Sequence, residues 1–164
     1  SNAGDAADVS VWSLNGTYTN GPIYVGLGYS TGDALDLAGI DSEIRVAGGF
    51  TMGGFKIVGQ YDSMDADVGG YDAWMLGGAY TMGAIVLNAN YMAGEVDGTD
   101  IEPTQWTIGA DYNLSKRTSV YALYAAGEDG VTLGGGAGSS DRISGTVASE
   151  GDISALSVGV VHSF

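Results

Sequence analysis

The feature that most limits what this chain can fold into is the spacing of its apolar residues. The spacing is two almost everywhere and almost nowhere helical. A period of two marks a strand with one apolar face. The clearest case is Trp106, Ile108, Ala110, Tyr112 and Leu114, which alternate with Thr107, Gly109, Asp111 and Asn113. The same pattern runs through Trp12 to Tyr18, Val25 to Tyr29, Ile44 to Met52, Phe55 to Tyr61, Trp74 to Tyr80, Ile85 to Tyr91 and Leu156 to Phe164. Residues 119–126 are apolar on both faces, so their facing stays open. The pattern predicts nine strands of roughly 8–12 residues, close to the ~9–11 that cross a bilayer when tilted. The predicted fold class is all-β: an antiparallel meander forming a transmembrane β-barrel or part of one.

The connections alternate in length. Short ones fall near 19–22, 52–54, 82–84 and 113–118, and long ones near 30–43, 62–72, 92–104 and 127–152. The near-copies FTMGGFKI and YTMGAIVL indicate one hairpin unit repeated within a single domain. Ser1-Asn2-Ala3 reads as an expression-tag scar, leaving residues 4–164 as one β-barrel segment. Asp33, Asp36, Asp41, Glu43, Asp62, Asp65, Asp67, Asp72, Glu95, Asp97, Asp100, Glu102, Glu128, Asp129, Asp141, Glu150 and Asp152 all fall in the long connections, whereas a short one carries Lys116 and Arg117. In an antiparallel meander all long connections share one rim, so that rim is predicted to be acidic.

Composition removes several function classes. A net charge of −15 argues against nucleic acid as a partner. There is no Cys for thiol chemistry and a single His. No run of ~18 apolar residues offers a transmembrane helix. Gly28-Tyr29-Ser30-Thr31-Gly32 matches the G-x-S-x-G elbow, but that motif needs a following helix and a nearby His, so it reads as a strand entering a loop and no enzyme activity is expected. Asp62, Asp65, Asp67 and Asp72 are dense enough to be weak Ca²⁺ candidates, with a solvated repulsive loop as the blander reading and no other cofactor expected. Residues 134–141 match a Ca²⁺-binding nonapeptide too loosely to count.

Aromatic residues at the ends of the apolar faces (Trp12, Tyr18, Tyr29, Tyr61, Trp74, Tyr80, Tyr91, Trp106 and Tyr112) suit girdles at a membrane interface. Opposite them lie small polar residues, as in a wet lumen. Arg45, Lys56, Gln60, Asn88, Asn90 and Asp111 are then pore-lining candidates, and the charged ones could set ion selectivity. Alternation alone also fits a soluble sandwich.

Two stretches carry a family resemblance. ADYNLSKRTSVYALY (residues 110–124) resembles the strand–turn–strand signature of Gram-negative general porins. VGVVHSF resembles that family's terminal strand, with Phe164, His162, Val160 and Val158 on one face. The resemblance implies an outer-membrane channel for passive diffusion of ions and small hydrophilic solutes. It also implies a homotrimer, contact with outer-membrane lipid and lipopolysaccharide, and a terminal segment (Val158, Val160, His162, Phe164) that serves as the membrane-assembly signal. Family barrels have about sixteen strands, so nine strands ending on that signature match the C-terminal half. The family's constriction loop and basic cluster are not carried over to any residue here. An acidic mouth further predicts a preference for cations. Because a closed antiparallel barrel needs an even strand number, two alternatives stand beside the porin reading. One is a closed eight-stranded barrel acting as an anchor or adhesion module, with the first strand left outside; the other is a soluble Ca²⁺-binding β-sandwich.

Overall fold

The computed structural model describes residues 10–36, 39–129, 132–133, 145–146 and 151–164. Eight consecutive strands run β1 (Trp12–Asn20), β2 (Ile23–Thr31), β3 (Ile40–Met52), β4 (Phe55–Ala66), β5 (Tyr71–Met82), β6 (Ile85–Val96), β7 (Thr104–Asn113) and β8 (Thr118–Glu128). One helical turn, α1 (Asp33–Asp36), lies between β2 and β3. Two-residue β9 (Thr132–Leu133) and β10 (Gly145–Thr146) pair with each other before β11 (Asp152–His162) returns to the main sheet. That sheet has nine strands in the order β1-β2-β3-β4-β5-β6-β7-β8-β11, each antiparallel to its neighbour.

Among the described residues the sheet is open. There β1 pairs only with β2 and β11 only with β8, so the two edges run in the same direction. This corrects the eight-stranded alternative: β1 is fully in register with β2, from Trp12 opposite Thr31 to Asn20 opposite Ile23, and β2 does not meet β11. The sandwich alternative falls as well, because among the described residues the nine-stranded sheet is a single layer and the other sheet is only the two-stranded β9–β10 pair.

The register assigns every side chain to a face. The outer face carries Trp12, Leu14 and Tyr18; Val25, Leu27 and Tyr29; Phe55, Ile57 and Tyr61; Trp74, Leu76 and Tyr80; and their equivalents on the other strands, nearly all of them exposed. β8 resolves too: Ala122 opposes Ala110 and Tyr124 opposes Ile108, so Val120, Ala122, Tyr124 and Ala126 face outward. In β1, β4, β5 and β7, outward aromatics stand six residues apart (Trp12/Tyr18, Tyr61/Phe55, Trp74/Tyr80, Trp106/Tyr112). At ~3.3 Å per residue this spacing separates two aromatic bands by about 20 Å along the strand. The bands are also staggered. Trp74 packs on Tyr91 and Trp106 on Tyr124, both at 5.3 Å between ring centres, although their register partners are Ala93 and Ala126. A band that slips along the register from strand to strand is what strands tilted to a barrel axis require.

Three short turns are built alike. Gly21, Gly53 and Gly83 occupy the first turn position with φ of 57°, 59° and 60°. Pro22, Gly54 and Ala84 follow, and each accepts a backbone hydrogen bond of 2.8 Å from the next strand, donated by Thr51, Thr81 and Asn113. A glycine in the first position is the demand of the type II′ hairpin turn, whose twist matches that of the strands. A Cβ on Gly54 would stand 2.4 Å from the Thr81 carbonyl oxygen, whereas one on Gly16 would meet nothing within 4 Å. Gly54→Ala is therefore expected to cost about 1–3 kcal/mol, and Gly16→Ala close to nothing, in urea titration of the chain folded in lipid vesicles. The fourth turn is held by Ser115, whose hydroxyl accepts the backbone N–H groups of Arg117 (3.1 Å) and Thr118 (3.0 Å). That contact is the physical reason for the serine in the NLSKRT stretch.

Three of the long connections are shorter than the sequence suggests: β3 already begins at Ile40, so Asp41 and Glu43 sit on it. β4 continues to Ala66 and β5 begins at Tyr71, while β6 continues to Val96. The acids Asp62, Asp65, Asp72 and Glu95 thus sit on strands that extend past the upper aromatic band. The apolar period ends where lipid ends, but backbone pairing does not.

Candidate functional site

The inner face is the candidate site, and the register brings all six predicted lining residues onto it. One cross-strand row reads Asn15, Gly28, Arg45, Asp62 and Ala73. The next reads Thr17, Gly26, Ala47, Gln60 and Met75. A third runs Thr19, Tyr24, Gly49, Val58, Gly77, Asn90, Thr107, Ala125 and Ala155. Lys56 and Asn88 share a fourth row with Ala79 between them, and Asp111 lies one step nearer the short turns.

Charge is divided along this face. Near the acidic rim, Arg45 is clamped by two carboxylates. Its Nε donates to Asp62 Oδ1, its Nη2 donates to Glu43 Oε1 at 3.3 Å, and Gln60 Nε2 donates to the other Asp62 oxygen at 2.5 Å. At the other end Lys56 stands near its turn, and Asn88 Nδ2 donates to Asp111 Oδ2 at 3.3 Å. Glu43 completes the Arg45 cluster and was missed in the sequence; its place two residues before Arg45 on one strand was the available signal.

The inner face also has a dry sector. Leu123 and Ala125 are buried, Thr107 is almost fully so, and Met92, Tyr121, Ile153 and Ala155 pack beside them. Glycines let large side chains lie flat here: Leu123 covers Gly109 and the Tyr121 ring covers Gly159. The inner face is thus polar on β1 to β4 and largely apolar across β8 and β11.

The four aspartates proposed for Ca²⁺ are not brought together. Asp62 faces inward and pairs with Arg45. Asp72 faces outward and accepts a 2.6 Å hydrogen bond from Tyr61, Asp65 accepts one from Ser42, and Asp67 lies in the connection beyond β4. Alternation along β4 sends Asp62 and Asp65 to opposite faces, the pairing of β5 with β4 puts Asp72 on the face opposite Asp62, and no group of three or more possible metal ligands forms among the described residues. The nonapeptide-like stretch, Asp141 and Glu150 lie outside the described residues. The G-x-S-x-G match does run from a strand into a helical turn, contrary to expectation. Ser30 there shares a 3.1 Å hydrogen bond with Ser13, while the single His162 sits at the opposite rim against Thr118 (2.9 Å) and Phe164. Val158, Val160 and His162 share the outer face of β11, as the terminal-strand resemblance implies.

One antiparallel sheet, apolar and twice-banded with aromatics outside, and polar and glycine-rich inside over β1 to β4, defines a wall of a transmembrane β-barrel. The family model described as Gram-negative porin matches residues 1–132, and the chain belongs to that family. It is an outer-membrane protein of the bacterial cell. Its fold is similar to that of the anion-selective porin from Comamonas acidovorans, with a TM-score of 0.73 at 23% identity over 94% of this chain and 49% of that one. It is also similar to a porin refined at 1.8 Å, with TM-score 0.71 and 20% identity over 98% of this chain and 54% of that one. OmpT of Vibrio cholerae, in vitro folded and in trimer form, matches with TM-score 0.63 and 20% identity over 94% of this chain and 56% of that one. The chain therefore spans about half the length of the porins it matches. No curated protein matches it.

Proposed function

We propose that this chain forms part of the wall of a water-filled pore through which ions and small hydrophilic solutes diffuse passively, without chemistry on the solute. The observation that carries this reading is the opposition of faces: exposed apolar side chains outside, and Asn15, Thr17, Arg45, Lys56, Gln60, Asn88 and Asn90 inside. Channels, not enzymes, are the family's business.

The pore prefers cations. The long-connection rim carries Asp33, Asp36, Asp41, Asp65, Asp67, Asp97 and Asp100 among others, and Arg45 is the only basic side chain in that half among the described residues. Such a mouth concentrates cations within the ~8–10 Å screening length. Reversal potentials in planar bilayers under a KCl gradient test this: the expected sign is that of K⁺ over Cl⁻, and anion preference would sink the reading. The Comamonas acidovorans neighbour is anion-selective, so fold alone does not set the sign. The assembled protein is a homotrimer in outer-membrane lipid and lipopolysaccharide, supported by family membership and by the trimer form of the Vibrio cholerae neighbour. Val158, Val160, His162 and Phe164 serve as its assembly signal.

A further inference from the structure

We infer that a groove on the inner face of β1–β3 is a binding subsite for uncharged polyhydroxylated solutes, namely sugars; this rests on the pore reading and deepens it. The groove is formed by glycine. Gly28 stands between Asn15 on β1 and Arg45 on β3 in one cross-strand row, and Gly26 lies one row below. The missing side chain at Gly28 leaves a hollow of about 340 Å³, within the ~300–1,000 Å³ range of small-molecule sites, while the space over Gly26 is taken by Tyr24. A Cβ on Gly28 would find its nearest neighbour, the Arg45 Cβ, at 4.0 Å, so the space is open.

The lining selects the chemistry. At the lower end Tyr24 leans along the strand, with its hydroxyl 2.8 Å from where a Gly26 Cβ would stand, so its ring lies against the wall as a platform. A sugar ring presents C–H groups that pack on such a surface. Above the floor, Glu43 offers acceptors and Arg45 offers donors 3.3 Å apart, with the Ser13 and Ser30 hydroxyls and the Asn15 amide opposite. Each hydroxyl of a vicinal diol both donates and accepts, which a paired carboxylate and guanidinium satisfy together. A simple cation would meet Arg45 and a simple anion would meet Glu43, so the pair disfavours either ion alone. Asp62, itself held by the Gln60 amide, accepts from the guanidinium on the far side and keeps it in place.

The test is direct binding of cellobiose, whose equatorial hydroxyls leave its ring faces free to stack. Saturation-transfer NMR on the full chain folded in detergent micelles is expected to show saturable binding in the millimolar range. Gly28→Val fills the hollow with a residue suited to strands and is expected to weaken binding by about tenfold or more, with the far-UV β-sheet spectrum unchanged. Tyr24→Leu removes the platform but keeps apolar bulk, and is expected to weaken binding several-fold. Absence of saturable binding, equal binding by both variants, or binding of free glycine in place of the sugar would each overturn the proposal. Bilayer conductance is read separately. Conductance without cellobiose binding removes the groove and leaves the pore; binding without conductance does the reverse.

Discussion

An arginine placed at Ile108 is expected to destabilise the folded chain in lipid by about 2–4 kcal/mol. Ile108 lies on the outer face of β7, between Trp106 and Tyr112, and is half exposed. A guanidinium there starts inside the hydrocarbon layer and must either stretch about 7 Å along the strand to the Trp106 band or distort the bilayer, and both are costly. On the next strand Asn90 faces the opposite way and pairs with Thr107. Asn90→Arg is therefore expected to change stability by only about 0.5 kcal/mol while shifting ion selectivity toward anions. Urea titration in lipid vesicles compares the two. Equal costs would mean that the faces are assigned wrongly, and a larger cost at Asn90 would place the dry side inside.

Removing the guanidinium of Arg45 is expected to raise the K⁺ over Cl⁻ permeability ratio by roughly two- to fivefold, the effect of one charge acting on a passing ion through several ångströms of largely aqueous medium. Arg45 is the cation nearest the acidic rim on the inner face among the described residues, and it offsets part of the field of Glu43 and Asp62. Arg45→Ala leaves both carboxylates on the inner face. Asp62→Asn has the opposite sign, because it removes a negative charge and frees the guanidinium from one of its clamps. The Arg45–Glu43 pair is exposed and contributes under about 1 kcal/mol, but the Asp62 side chain is only 13% exposed, so Arg45→Ala, which strips its cation, is expected to cost more stability than Asp62→Asn. Reversal potentials for both variants check the pair, and shifts of the same sign would contradict this account.

The sequence made different parts of this protein legible to different degrees. The alternation of Trp106, Ile108, Ala110 and Tyr112 against Thr107, Gly109 and Asp111 was readable because the lipid boundary acts on every second residue. The facing of β8 was not, since Leu123 and Tyr124 are both apolar; its pairing with β7 settled it. Connections at 30–43, 62–72 and 92–104 were read too long for a related reason. Beyond the lipid both faces of a strand meet water, so Asp62, Asp65 and Glu95 leave no apolar period even though their backbones remain paired.

The candidate site shows the same division. Arg45, Lys56, Gln60, Asn88, Asn90 and Asp111 could be assigned to one face by counting along their own strands. That Arg45 meets Asp62, seventeen residues away, depends on which residue of β4 stands opposite it. Asp62 and Asp72 look like neighbours in the chain but point to opposite sides of the sheet.

Side-chain chemistry along the chain determined that this is a ribbon of strands with one greasy and one wet face, turned at glycines and banded by aromatic rings. These are local consequences of each residue's affinity for lipid or water and of the dihedral angles each turn permits. Only the tertiary structure decided the register, and with it the clamp on Arg45, the glycine hollow beside it and the sheet's two unpaired edges. Those depend on hydrogen bonds between residues far apart in the chain, which no spacing along a single strand records.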